Sequence, residues 1–279
     1  MYSFSNRVRY SEVNSEKELT LPSLLDYLQD CCTFESEDFG VGVDYLAKEQ
    51  VAWILSSWEI KVYRYPQMGQ HIKVSTWPYA FRGFYGYRNF CIEGEDGEIF
   101  AEANSVWVFM DTEKMRPARV SERMQEVYIP EIRDEIPGEW ADRKISLPDE
   151  AVQKSVEKEP VRVSRFYIDT NHHMNNGKYI LVAEEYLPEQ VFVCGLRAEY
   201  RKAAMLGDML YPVVTMEEKQ ITSEIPDGKT VSDLANTAEC TYVVMVPPNE
   251  KFLQDMENGG YRILDTVDLY YIFVCEQYR

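Results

Sequence analysis

No apolar run in this chain approaches the roughly 20 residues that a helix needs to cross a bilayer. That argues against a helical membrane protein. Histidine is scarce, with three residues at His71, His172 and His173. The six cysteines, Cys31, Cys32, Cys91, Cys194, Cys240 and Cys275, contain no Cys-x-x-Cys pair. So few ligands in that spacing exclude the usual closed zinc site and fit a reducing compartment. Basic residues are also short: 29 Lys and Arg face 47 Asp and Glu, a formal charge of −18. Phosphate neutralisation needs a basic face, so nucleic acid is disfavoured as a partner. The opening residues, Met1-Tyr2-Ser3-Phe4-Ser5-Asn6-Arg7, lack the apolar centre of a signal peptide. The expectation is a cytoplasmic protein with no cofactor, metal, nucleic acid or membrane partner.

What is present is a large packed core. The hydrophobic fraction is 45%, with 20 Tyr and 12 Phe, and 279 residues suffice for one large domain or two ordinary ones. Thr20-Leu21-Pro22 reads as a helix start, Thr as cap and Pro within the first turn. Leu21, Leu24, Leu25 and Leu28 follow at helical spacing. Trp58, Ile60 and Val62 then alternate with Glu59, Lys61 and Tyr63, the period of a strand. Ile72 to Trp77, Tyr85 to Ile92 and Ile99 to Met110 read as further strands, with Asp96-Gly97 as a tight hairpin between the last two. A helix laid across a curved antiparallel sheet is the simplest way to bury both apolar faces.

From Ser121 to Glu159 alternation fades, charges are dense, and Pro130, Pro137 and Pro148 recur. The stretch is longer than an ordinary loop and reads as a linker between domains. The second half then repeats the order of the first. It offers a short strand at Val161 to Phe166, a helix from Asn176 toward Leu187, and strands at Val191 to Tyr200, Met209 to Met216, Thr241 to Val246 and Thr266 to Cys275. Turn signals stand at Asp227-Gly228, Pro247-Pro248 and Gly259-Gly260. The predicted division is 1–120, a linker at 121–159, and 160–279.

The chemically informative segment is Asp169-Thr170-Asn171-His172-His173-Met174-Asn175-Asn176-Gly177-Lys178-Tyr179. Tyr179, Ala183 and Tyr186 make the buried face of the helix it leads into, and Asn175 or Asn176 can cap its start. A loop aimed at a helix N-terminus suits acyl transfer to water. Free N–H groups there can hold an oxyanion, and a carboxylate or imidazole can take the proton from water. Asp169 and His173 can supply or orient the base, and Asn171 can position water or carbonyl. A polar loop that merely caps a helix fits the same residues.

Asp-x-Asn-x-His-x-Asn-Asn-x-Lys-Tyr resembles the active-site motif of acyl-acyl carrier protein (acyl-ACP) thioesterases, the plant plastid enzymes and their bacterial relatives. Tyr63-Arg64-Tyr65-Pro66, the strand Ser105-Val106-Trp107-Val108-Phe109-Met110 and Glu199-Tyr200-Arg201 are similar to other segments of that family. The resemblance implies an α+β fold of two tandem hotdogs, each a long helix wrapped by a curved antiparallel sheet. It implies that the first hotdog shapes the acyl-chain pocket and the second is catalytic, with Asp169, Asn171 and His173 as catalytic residues. The implied reaction is hydrolysis of a fatty acyl-ACP thioester to free acid and carrier thiol, without a metal, by a monomer or homodimer.

The plant strand continues from Glu-Tyr-Arg-Arg into a Glu-Cys pair with assigned catalytic roles, whereas this chain has Ala203 and Ala204 there. Three readings follow: Asp169 is the base, Glu199 substitutes for the missing acid, or activity is impaired and the chain binds acyl thioesters without turnover. An acyl-CoA thioesterase and a hotdog dehydratase are the rival activities. Cys194 as a nucleophile competes with the commoner role of a buried structural cysteine. Docking of an acidic carrier onto so acidic a chain calls for a local basic patch, for which Arg162 with Arg165 and Arg197 with Arg201 and Lys202 are the sequence clusters.

Overall fold

A computed structural model describes residues 1–145, 156–187, 191–220, 237–246 and 270–278. The turn signals at Asp227-Gly228, Pro247-Pro248 and Gly259-Gly260, residues 266–269 of the last predicted strand and residues 146–155 of the predicted linker lie outside that set. Chain contacts divide the molecule into two units, Met1–Arg143 and Lys144–Arg279.

In the first unit the leucine spacing becomes α1 (Leu21–Asp38). Thr20 Oγ1 accepts from the Ser23 N–H at 3.3 Å, and Pro22 occupies the first turn, where its missing N–H costs no hydrogen bond. The buried stripe runs Leu24, Leu28, Cys31 and then Glu35, which is fully buried. α1 packs on β1 (Tyr2–Arg7) and β3 (His71–Arg82). The strand pattern of the sequence gives β2 (Val51–Val62), β3, β4 (Tyr85–Gly94) and β5 (Ile99–Asp111), all antiparallel, in the order β1-β3-β4-β5-β2. Trp58, Ile60 and Val62 point into the core at 1–3% exposure, as their alternation requires. The Asp96-Gly97 signal forms the β4–β5 hairpin: Gly97 takes φ +81°, and Gly94 N–H donates to Glu98 O at 2.8 Å.

β3 carries a proline in mid-strand, Pro78, which a central strand does not tolerate. The register explains it. β1 ends its pairing at Tyr2↔Thr76, so Pro78 lies beyond the last ladder bond on that side, and a bulge follows between Pro78 and Ala80. The chain at 133–136 runs alongside: Arg133 N–H donates to Pro78 O at 3.1 Å, and Trp77 Nε1 donates to Asp134 O at 2.9 Å.

Part of the stretch expected to link the halves is built into this unit. After α2 (Val43–Lys48) and the short β6 (Arg116–Pro117) against β5, Ser121 caps α3 (Glu122–Tyr128). Met124 and Tyr128 are buried with Val41, Phe109 and Val120. Two well-buried apolar side chains hold α3 down, although its other residues are polar enough to look like linker. Tyr128 also covers a buried ion pair. Arg88 of β4 contacts the Glu35 carboxylate, donates to Thr76 Oγ1 at 3.0 Å, and lies 5.5 Å from the Tyr128 ring centre. Burial pushes the Glu35 carboxyl up, and the Arg88 charge opposes it.

The second unit holds β7 (Val156–Glu157), β8 (Val161–Arg162), β9 (Val191–Glu199), β10 (Met209–Gln220), β11 (Thr237–Val246) and β12 (Tyr270–Tyr278). Its antiparallel order is β9-β12-β11-β10, and β7 and β8 both pair with β10. The predicted strand Val161 to Phe166 is shorter than its pattern suggested. The Tyr167 N–H turns back to Ser164 O at 3.0 Å, and Arg165–Tyr167 becomes a single 3-10 turn. The helix α4 (Asn176–Glu184) follows, its buried face made by Gly177, Tyr179, Ile180, Val182 and Ala183. No helix among the described residues is long and apolar enough to cross a membrane.

Candidate active site

The motif loop is folded by its own side chains and by one neighbouring segment. Asp169 Oδ1 accepts from the Asn171 N–H at 2.8 Å, an Asx turn that reverses the chain. Asp169 N–H donates to His173 O at 2.9 Å and His172 N–H to Asp169 O at 3.1 Å. His172 stands at φ +66°, the left-handed conformation the reversal needs. Outside this turn, Met174 N–H donates to Ala204 O at 2.8 Å and Asn175 N–H to Tyr167 O at 2.8 Å. Asn175 is the cap of α4, its Oδ1 accepting from the Gly177 N–H at 2.8 Å, and Lys178 N–H donates to Asn175 O at 2.9 Å. Two of the N–H groups expected to face an oxyanion are thus committed within the protein.

This turn brings two of the three predicted residues together. His173 Nδ1 lies 3.7 Å from Asp169 Oδ1, within ion-pair range and longer than a hydrogen bond, with the side chains 29% and 19% exposed. Both contacts of Asp169 use Oδ1, and no polar group among the described residues takes Oδ2. Asn171 joins the pair through its backbone, while its residue is exposed beside them. A carboxylate with a spare oxygen, an imidazole and an exposed carboxamide within five residues can orient a water, accept its proton and donate to a carbonyl.

Glu199 is otherwise occupied. It is 2% exposed; Oε1 accepts from Arg201 Nε at 3.0 Å, and Oε2 accepts from the Ile145 N–H at 3.0 Å and from Arg201 Nη2 at 3.2 Å. A buried carboxylate with both oxygens held by three donors has none to present to a water. Ala204, where a family member carries part of its Glu-Cys pair, is buried against the loop: its N–H donates to Tyr179 Oη at 2.9 Å, and its carbonyl holds Met174. Ala203 is exposed. Cys194 is half-buried within β9. Below the loop, Tyr200 Oη donates to Asn176 O at 3.1 Å and its ring meets Tyr179 at 5.9 Å, so two tyrosines fix the start of α4. Among the described residues no cluster of three or more His, Cys, Asp or Glu has the arrangement of a metal site.

Glu184 ends α4. Burial and the adjacent Glu185 push its carboxyl up from 4.5 to about 7. The folded state therefore holds this proton at pH values where the unfolded chain has lost it. The stability contributed by the neutral form is complete below about 4.5 and disappears as pH rises through about 7. Glu184→Gln is expected to raise Tm at pH 8, with the gap from wild type closing toward pH 5. Melting curves at both pH values check this; the same gap at both would mean that Glu184 does not titrate in this window.

The same turn occurs in the first unit, which sequence reasoning missed. There Asn14 Oδ1 accepts from the Glu16 N–H at 3.0 Å, Asn14 N–H donates to Glu18 O at 2.9 Å, and Lys17 stands at φ +63°. Leu19 N–H donates to Pro66 O at 2.8 Å, Thr20 N–H to Glu12 O at 2.9 Å, and Thr20 caps α1. Asn14, Glu16, Lys17, Glu18 and Thr20 thus hold the places of Asp169, Asn171, His172, His173 and Asn175. The backbone is duplicated and the chemistry is not: the first copy has no imidazole at Glu18 and an amide at Asn14.

Two helix-and-sheet units built alike define a double hotdog, an α+β fold, and solved acyl-ACP thioesterases share it. The structure aligns with the 12:0-ACP thioesterase of Umbellularia californica at TM-score 0.74 and 16% identity, covering 100% of this chain and 97% of that one. It aligns with an acyl-ACP thioesterase of Bacteroides thetaiotaomicron at TM-score 0.71 and 17% identity, covering 99% and 97%. Family models for the acyl-ACP thioesterase N-terminal domain and C-terminal domain match residues 1–128 and 150–234. The chain belongs to the acyl-ACP thioesterase family. It is 28% identical, over 77% of its length, to the chloroplastic acyl-acyl-carrier-protein hydrolase FATB3 of Cuphea viscosissima, and it spans about half the length of the curated relatives it matches, 54% in that case.

Proposed function

We propose that this protein hydrolyses fatty acyl-ACP thioesters to free fatty acid and carrier thiol, the step that ends fatty acid synthesis. The Asp169–His173 pair, 3.7 Å apart in a loop whose counterpart in the first unit lacks both groups, carries the proposal. Asp169 Oδ2 accepts a proton from water as the water oxygen bonds to the thioester carbon. The carbon–sulfur bond then breaks, and the departing sulfur takes that proton back from Asp169 to become the carrier thiol. Asn171 donates its amide to the carbonyl oxygen as negative charge gathers there, and His173 orients Asp169. The engagement of Glu199 by Arg201 and Ile145 favours Asp169 over Glu199 as the base.

In this reading residues 160–279 carry the chemistry, 1–120 shape the acyl-chain pocket, and 121–159 join them. Neither metal nor cofactor takes part. The protein works as a monomer or homodimer, and the free thiols of Cys31, Cys32 and Cys91 support a reducing compartment, the cytoplasm. Ala203 and Ala204 motivate the second reading, an acyl-thioester binding module without turnover. Thiol release measured across acyl lengths, on both the carrier protein and coenzyme A, separates the readings. Release from the carrier at some chain length is expected. Tight acyl-ACP binding with no release supports the module instead, and faster release from coenzyme A makes the protein an acyl-CoA thioesterase.

A further inference from the structure

The motif loop is ringed by exposed cations. Arg162, Arg165 and Lys202 are exposed, and none has an acidic partner among the described residues. Backbone pairing places them around the loop. Arg162 pairs with Met209 across β8 and β10, and its Nη2 lies 3.9 Å from where a Cβ on Gly207 would stand. Arg165 opens the 3-10 turn that leads to Asp169. Lys202 lies two residues before Ala204, whose carbonyl holds Met174. Phe166 and Leu206 are 70% and 55% exposed within this ring, and Met205 bridges to His173. Of the acids close by, Asp169 faces His173 within the loop, Asp208 Oδ2 accepts from the Met205 N–H, and Glu199 is held by Arg201.

The first unit supplies the comparison. Its loop carries Glu16, Lys17 and Glu18, with Glu12 beside it. The counterpart of Arg162, Arg7, donates to Gly69 O at 2.8 Å, and the counterpart of Lys202, Arg64, is paired with Glu98. Exposed apolar groups occur at both loops, Tyr10 and Met68 being 85% and 41% exposed at the first. The first loop has the acids Glu16 and Glu18 where the second has Asn171 and His173. In a chain of net charge −18, three exposed cations with no acidic partner among the described residues make a local basic cluster beside the motif loop.

We infer that Arg162, Arg165 and Lys202 form the docking surface for the acidic acyl carrier protein, with Phe166 and Leu206 as its apolar centre. The inference rests on the thioesterase reading above and names the partner's footprint on that site. A basic rim steers an acidic partner in a long-range, salt-sensitive way and adds little to a small neutral thioester.

The test is Arg162→Glu/Arg165→Glu/Lys202→Glu, assayed on one acyl chain carried either by the carrier protein or by free pantetheine. For the variant, kcat/KM on the carrier substrate is expected to fall by about tenfold or more and to lose the salt dependence shown by the wild type. Turnover of acyl-pantetheine is expected to stay within about twofold, which also reports that the variant is folded. Wild-type kcat/KM on the carrier substrate, or an equal loss on both substrates, would overturn the docking surface while leaving the thioesterase reading intact. A wild type inert on both substrates would overturn the thioesterase reading itself.

Discussion

Asp169→Asn is expected to lower kcat for acyl-ACP hydrolysis by about a thousandfold, within the range of roughly 10²–10⁴ that a positioned general base contributes. The fold itself supplies the control. Asn14 occupies the equivalent place in the first unit, and its Oδ1 accepts from the Glu16 N–H as Asp169 Oδ1 accepts from Asn171. An asparagine at 169 therefore keeps the turn and removes only the proton acceptor. KM for the acyl-ACP should move by less than about threefold, since the substitution does not touch the acyl chain. His173→Ala should fall nearly as far, and the double variant little further, because groups acting as one unit do not add. Steady-state kinetics on the three variants decide the matter. Unchanged kcat in both single variants would remove this site from the reaction.

Removing either partner of the Glu35–Arg88 pair is the largest stability change we expect. Glu35 is fully buried on the apolar stripe of α1, and Arg88 is 8% exposed. Glu35→Ala strands a guanidinium under Tyr128, and Arg88→Ala strands a carboxylate. Each should cost about 3–5 kcal/mol, the usual penalty for an uncompensated buried charge. With roughly 2–4 °C per kcal/mol for a chain of this size, Tm falls by about 10 °C. Glu35→Leu combined with Arg88→Met removes both charges and should recover most of the loss, because desolvation of the pair already offsets much of its attraction. Thermal melts of the two single variants and the double variant test this. A loss below about 1 kcal/mol for Glu35→Ala would mean that water reaches the pair.

The elements legible in the sequence were those specified by local pattern. The α1 stripe, the alternation of Trp58 to Val62 and the Asp96-Gly97 hairpin depend on spacing alone. So did the site loop, where two histidines and three asparagines gather around Asp169. Features made by distant residues were not legible. Glu35 and Arg88 meet across a helix and a sheet, and neither has a sequence signal for the other. α3 is mostly polar or charged, so its composition points to linker, and the burial of Met124 and Tyr128 shows otherwise. β1 alternates with serine and asparagine rather than with a strong apolar pattern, and it becomes a strand by pairing with β3. The duplicated turn escaped notice because its signature is backbone hydrogen bonding, while the side chains at Asn14, Glu16 and Glu18 differ from those at Asp169, Asn171 and His173. The occupation of Glu199 by Arg201 and Ile145 likewise needed coordinates.

The proline of β3 bears on how copies of this protein meet. An unpaired strand margin invites another chain to add a strand of its own, the common route to sheet-continuing dimers and to aggregates. Past Thr76 that margin has no N–H at Pro78, is broken by a bulge, and is crossed by the chain at 133–136. It therefore offers no template for a visiting strand, and a homodimer of this protein has to be sought on some other surface.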